Sequence, residues 1–238
     1  MLSATQLHRA TTPPASIPEL LARADQLTGK SFAELAAAAG VAVPTSLRHA
    51  KGWTGQLIEQ FLGATAGSKQ QQDFPELGVE LKTIPVSPDA KPLETTYVCI
   101  TPLLGLHQIQ WEQSNVCNKL KLVLWIPIDG RREIPIAERT VGVPILWQPS
   151  PQQEQQLRQD WEEITEQIIL GQVESLTARF GTALQLRPKA ADGSKLTAAI
   201  GPNGERIQTR PRGYYLRKEF TQGVLLQGLA QRLQQKQG

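Results

Sequence analysis

The chain has 238 residues, 40% of them hydrophobic and 20% charged, a size and balance suited to one large globular domain or to two lobes. No apolar run approaches the roughly 20 residues of a membrane span, and no basic segment leads into an apolar stretch near the N-terminus, so neither a membrane span nor a signal peptide is expected. The formal net charge is +3, and the two cysteines, Cys99 and Cys117, lie too far apart for a local metal knuckle, which fits a reducing, cytoplasmic compartment.

Residues 1–14 read as a mobile tail. Ser16-Ile17-Pro18-Glu19 then opens a helix: serine caps, proline suits the first turn, and Glu19 completes a capping box. Leu20, Leu21, Ala24 and Leu27 give its apolar stripe, and Gly29 ends it. Ser31-Phe32-Ala33-Glu34 repeats the signal for a second helix, which runs to Gly40. Trp53, Leu57, Ile58, Phe61 and Leu62 recur at helical spacing, with Glu59 on the flank of that stripe. The segment from Gly78 to Pro85 alternates instead, so Val79 and Leu81 face one way and Glu80 and Lys82 the other, as on a strand. Thr95–Ile100 and Lys119–Ile128 are further strand candidates. Pro151 starts a long helix with Leu157, Trp161, Ile164 and Ile168 on one face. A shorter strand near Ala183–Leu186 precedes Arg187-Pro188-Lys189, and Gly223–Gln235 reads as a terminal helix. No internal repeat is present. This order of helices and strands implies an α/β or α+β fold around a small central sheet.

Charge is unevenly placed. Residues 187–218 hold eight Lys/Arg and two Asp/Glu, which leaves 17 basic and 20 acidic residues elsewhere. Such a stretch is the footprint of a polyanion site, although a solvated loop would have the same composition.

Asp73 precedes Glu80, and Lys82 follows two residues later on the same strand face. If Phe74–Gly78 turns the chain back, Asp73 approaches Glu80, and two neighbouring carboxylates call for a cation between them. Mg²⁺ accepts two carboxylates, a backbone carbonyl such as that of Leu81, and waters. The ion would polarise a phosphoryl oxygen and acidify a bound water, while Lys82 would stabilise charge in the transition state. By itself, Glu-x-Lys on an exposed strand also describes a solvated ion pair. His8, His49 and His107 are too scattered for a metal site. No P-loop is present, so ATP hydrolysis by this chain is not expected.

Lys51-Gly52-Trp53, the stretch 63–69, Asp73-Phe74, the stretch 77–85, Pro92–Thr96, Lys119-Leu120-Lys121 and Val123–Pro127 form a series of motifs. Asp160–Glu163, Gly171–Glu174, Arg187–Ala191, Pro211-Arg212-Gly213 and Tyr215-Leu216 extend it. From about residue 17 to about residue 225, the resemblance that this series carries is to the MutH family of mismatch-repair endonucleases, within the restriction-endonuclease-like nucleases. It implies a restriction-endonuclease-like α/β fold with a central mixed sheet flanked by helices and two lobes around a DNA-binding cleft. Residues 1–150 would carry the metal site and 151–238 the sequence readout.

The resemblance also implies roles. Asp73, Glu80 and Lys82 match the catalytic triplet, with Glu59 an additional metal-binding carboxylate. Lys119 matches a lysine near the active site, expected to meet the DNA backbone or the attacked phosphate, and Lys51 would contribute similarly. Arg187, Pro188 and Lys189 match the loop that reads GATC, and Tyr215 the tyrosine beside the adenine whose N6 methylation is sensed. Tyr97 stands where relatives carry phenylalanine and would stack or wedge against DNA. The implied activity is Mg²⁺-dependent nicking, with Mn²⁺ able to substitute, of the unmethylated strand 5′ to the G of hemimethylated GATC. The implied protein is a monomer activated by MutL, with MutS acting indirectly. The rivals are a type II restriction endonuclease for the same site and a non-catalytic GATC-binding module.

Overall fold

Serine caps and glycine stops set the first two helices of the computed structural model, which describes residues 8–46, 52–67, 71–189 and 194–235. Helix α1 (Ile17–Leu27) starts where the Ser16 hydroxyl accepts the Glu19 N–H, and it buries Leu20, Ala24 and Leu27. Helix α2 (Phe32–Ala39) has both halves of the Ser31–Glu34 capping box and ends at left-handed Gly40. Helix α3 (Trp53–Leu62) runs between two left-handed glycines, Gly52 and Gly63, and buries Leu57, Ile58, Phe61 and Leu62.

Strand β1 (Glu80–Val86) pairs in parallel with the next apolar strand of this sheet, Val123–Asp129, which in turn pairs antiparallel with Ile145–Trp147. This is a three-stranded mixed sheet. Its apolar face packs with α1–α3 into one core that includes Leu20, Phe32, Ile58, Phe61, Val79, Leu81, Leu124 and Ile126. A second sheet is antiparallel throughout. It comprises β2 (Thr96–Thr101) at one edge, a central strand at Arg212–Leu216, and an edge strand at Leu184–Pro188. In chain order the remaining strands are therefore β3 (Val123–Asp129), β4 (Ile145–Trp147), β5 (Leu184–Pro188), β6 (Thr197–Ile200), β7 (Arg206–Thr209) and β8 (Arg212–Leu216), with β6 and β7 forming a separate hairpin. The remaining helices are α4 (Asn115–Leu120), α5 (Pro151–Ile169) and α6 (Lys218–Gln235). Among the described residues no helix is long and apolar enough to cross a membrane.

The described residues divide into two compact units. One comprises those of Met1–Glu94, Leu122–Trp147 and Val224–Gly238; the other comprises Thr95–Lys121 and Gln148–Gly223. This differs from a single cut after residue 150. The cause is the antiparallel pairing of β2 with β8, which assigns Thr95–Lys121 to the unit that holds the C-terminal strands.

Several local expectations change as well. Lys119 is not in a strand: Ser114 caps α4 by accepting the Cys117 N–H, and β3 begins only at Val123. Arg187 and Pro188 lie within β5 rather than after it, and proline is tolerated there because β5 is an edge strand. Helix α6 begins at Lys218, five residues before Gly223. Residues 10–12 are tied down rather than loose: the Ala10 N–H donates to Gln60 O, and the Arg23 guanidinium donates to Thr12 O and Leu62 O. The rest of the expected tail, residues 1–7, lies outside the described residues.

Candidate active site

The five residues between Asp73 and Val79 form a tight return. Phe74 and Val79 exchange backbone hydrogen bonds, 2.9 Å and 3.2 Å, around a single 3₁₀ turn at Pro75–Leu77, with Gly78 left-handed at φ 64°. The return places Asp73 against the start of β1, where its Oδ2 accepts the Leu81 N–H at 2.8 Å. Glu80 is the first residue of β1, and its N–H donates to Leu122 O. Period-2 alternation then puts Lys82 beside it, with Nζ 2.6 Å from Glu80 Oε1. The Glu80 side chain is 3% exposed and that of Lys82 13%, so this ion pair is largely removed from water. The Leu81 side chain lies in the core, which leaves only its backbone for any ligand role.

Glu59 comes from the last two turns of α3. Burial pushes its carboxyl above the ordinary glutamate range. Repulsion from Asp73 and then Glu80 adds to the rise, and Lys82 offsets part of it. Three carboxylates and one ammonium thus share one electrostatic neighbourhood in the first compact unit. Among the described residues no three His, Cys, Asp or Glu side chains close into a metal cage. The donor set nevertheless suits a hard divalent cation that keeps much of its water, since one or two carboxylates are enough for such an ion. The mutual repulsion among Glu59, Asp73 and Glu80 is what such an ion would relieve.

This repulsion has a consequence for stability. A carboxyl that holds its proton more tightly when folded contributes most below the ordinary glutamate range, and the contribution is lost as pH rises through the raised value. In metal-free protein, Glu59→Gln is therefore expected to raise stability near neutrality and to leave it unchanged at acid pH. Urea unfolding at the two pH values checks this. Added divalent cation should reverse the order, stabilising the parent more than the variant.

The remaining implied residues belong to other segments of the chain. Lys119 is near the end of α4, 8% exposed, in the second compact unit. Lys51 lies outside the described residues. Tyr97, Arg187, Lys189 and Tyr215 gather on one face of the second sheet, and Pro188 is exposed in β5 between the two basic residues. A bulge in β2 between Tyr97 and Cys99 shifts its side-chain parity, so Tyr97 sits opposite Tyr215. The two rings meet edge to face at 5.3 Å. The Lys189 ammonium stands 3.8 Å from the Tyr97 centroid, and the Arg187 guanidinium 5.7 Å from that of Tyr215. Arg187 Nη1 also donates to Thr95 Oγ1 at 2.9 Å. Burial raises the Tyr215 hydroxyl pKa, and Arg187 partly counters this. The opposite face is core: Tyr214 is fully buried, bonded to Thr165 at 3.2 Å, and its hydroxyl is pushed up to about 12 by burial.

Two supporting residues were not anticipated. Thr95 tethers Arg187. Asp160 of α5, 4% exposed, accepts backbone N–H groups from Thr182, Ala183 and Leu184, at 3.0, 2.6 and 2.7 Å. A polar residue at a buried helical position is the signal that could have marked Asp160; a threonine tether carries none.

A family model described as the DNA mismatch repair enzyme MutH matches residues 62–160. The chain is 60% identical over 212 residues to the DNA mismatch repair protein MutH of Vibrio cholerae serotype O1, covering 89% of this chain and 96% of that one. It is 58% identical over 214 residues to the DNA mismatch repair protein MutH of Salmonella paratyphi B, covering 90% and 93% respectively.

Proposed function

The chain belongs to the MutH family of DNA mismatch repair proteins, and from that membership we propose that it is a Mg²⁺-dependent endonuclease that nicks the unmethylated strand 5′ to the G of hemimethylated GATC. The observation that carries this reading is the return at Phe74–Val79, which brings the Asp73 carboxylate to the strand that bears Glu80 and Lys82.

Asp73 and Glu80 would hold the ion, with the Leu81 carbonyl and Glu59 completing its protein ligands. When bound, the ion polarises a phosphoryl oxygen and acidifies a water. The protein's own part is placement and charge. The bond to the Leu81 N–H fixes Asp73, and the ladder between β1 and β3 fixes Glu80. Lys82 Nζ, already desolvated beside Glu80, donates to the phosphate as negative charge grows on it, an interaction stronger in the transition state than in the ground state. Lys119 and Lys51 would contact the backbone or the attacked phosphate. The products would carry 5′-phosphate and 3′-hydroxyl ends. One triplet per chain suits a monomer that cuts one strand. Mn²⁺ would replace Mg²⁺, MutL would activate, MutS would act through MutL, and the compartment would be the cytoplasm.

Base reading would fall to Arg187, Pro188 and Lys189, because basic side chains donate to guanine O6 and N7 in the major groove. Tyr215 would sense the adenine N6 substituent. Lys189→Ala is expected to cost about 1–3 kcal/mol of discrimination between GATC and a site with one changed base pair, measured as a ratio of affinities. An equal loss on both duplexes would make Lys189 a backbone contact instead.

The decisive test is a cleavage assay on hemimethylated, unmethylated and fully methylated GATC duplexes, with and without MutL. Binding in Ca²⁺ with single-strand nicking in Mg²⁺ is the expected result. Cutting of both strands in one encounter would indicate a restriction enzyme, and binding without cleavage in any metal would indicate a recognition module.

A further inference from the structure

Strand β8 is the middle strand of its sheet, yet Gly213 occupies its interior, paired with Ile100 on one side and Arg187 on the other. A glycine there forgoes side-chain packing and carries an entropy cost, and such a position often marks a close approach by another group. Its backbone is not left-handed, so conformation does not require it. Space does. A Cβ at 213 would lie 3.0 Å from Tyr97 Cε2, 3.1 Å from Cys99 O and 3.5 Å from Lys189 Cβ. Cys99 O belongs to the β2 backbone, so the ring would have to give way.

The Tyr97 ring that fills this space is the one that carries the Lys189 ammonium at 3.8 Å, a distance at which the ring's negative face attracts the cation. The ring is in turn steadied by the edge of Tyr215. Lysine has four rotatable bonds and loses much freedom when it is fixed. An ammonium already docked on a ring surrenders less on binding, because part of the ordering has occurred in the free protein.

We propose that Gly213 and Tyr97 are positioning residues for Lys189: the missing side chain at 213 lets the Tyr97 ring lie against β8, and the ring presents the ammonium for base reading. The readout half of this inference rests on the function proposed above. The packing half does not, and the two are measured separately.

The packing half is read by NMR on the full chain without DNA. The Lys189 Cε protons should resonate upfield of those of other lysines through the ring current of Tyr97. The displacement should persist in Tyr97→Phe, vanish in Tyr97→Leu and shrink in Gly213→Ala. The readout half is the affinity ratio between a GATC duplex and a singly changed one, in Ca²⁺. That ratio should fall roughly five- to tenfold in Tyr97→Leu and Gly213→Ala, hold in Tyr97→Phe, and change no further when Tyr97→Leu is added to Lys189→Met. Identical Lys189 resonances in the parent and Tyr97→Leu would overturn the inference. So would a Tyr97→Leu effect that adds in full to that of Lys189→Met, because Tyr97 would then act on DNA directly. A displaced Lys189 resonance in a parent that binds all duplexes alike would instead contradict the proposed function, and the readout half with it.

Discussion

Lys82→Ala is expected to slow nicking by about 10²–10³-fold, the scale set by losing a preorganised donor to developing charge, while leaving duplex affinity nearly unchanged. Single-turnover cleavage and equilibrium binding, measured on the same hemimethylated duplex, separate the two. The variant carries a second effect that must be read apart from the first. Lys82 Nζ lies 2.6 Å from a Glu80 carboxylate that is 3% exposed, and removing one member of a buried ion pair costs up to about 3–5 kcal/mol. A loss of activity alone would therefore confuse chemistry with folding. The double variant Glu80→Gln with Lys82→Met should recover most of that stability, because the Glu80 charge is no longer buried without its partner, and recover no activity. Activity returning with stability would remove Lys82 from the chemistry.

Asp160→Ala should be strongly destabilising although it lies outside the candidate active site. Its Oδ2 accepts the N–H groups of Ala183 and Leu184, and both carboxylate oxygens accept that of Thr182. These three residues lead into and begin β5, the strand that carries Arg187 and Pro188. Alanine would leave the Ala183 and Leu184 N–H groups buried without their acceptor, at a cost of about 3–5 kcal/mol. Asn keeps one acceptor oxygen but points a donor amide at donors, so Asp160→Asn should cost less, about 1–3 kcal/mol. Urea unfolding checks both, through a lower midpoint at unchanged slope. If β5 is the readout strand, Asp160→Asn protein should also discriminate GATC less sharply while cleaving at a nearly unchanged maximal rate.

Local signals in the sequence account for much of what frames the triplet. Serine caps mark the starts of α1 and α2, each accepting an N–H three residues on; the glutamate completes a capping box only at α2, since Glu19 accepts the Ala15 N–H instead of that of Ser16. The alternation from Val79 to Ile84 marks β1, and it alone puts Glu80 and Lys82 on one side. The approach of Asp73 required only that the intervening segment turn, and Pro75 and Gly78 are residues suited to turning.

Features that depend on distant partners were not readable in the same way. The apolar run after Lys119 looks like strand throughout, yet the Ser114 cap claims Asn115–Leu120 for a helix. The strands from Thr197 to Leu216 lie in a stretch whose charge dominates its composition, although Asn203-Gly204 marks the β6–β7 turn. The assignment of Thr95–Lys121 to the second compact unit follows from the β2–β8 pairing across more than a hundred residues, for which no local pattern exists. Gly213 and Thr95 gain meaning only from the rings and guanidinium beside them.

Asp73 and Glu80 together would hold the divalent cation on which cleavage depends. Calorimetric titration of Mn²⁺ into the intact parent, Asp73→Asn and Glu80→Gln proteins, each bound to a GATC duplex, tests it most directly. Saturable binding in the parent, lost in both variants along with nicking, is the predicted result. Ion binding and nicking that persist undiminished in either variant would contradict it.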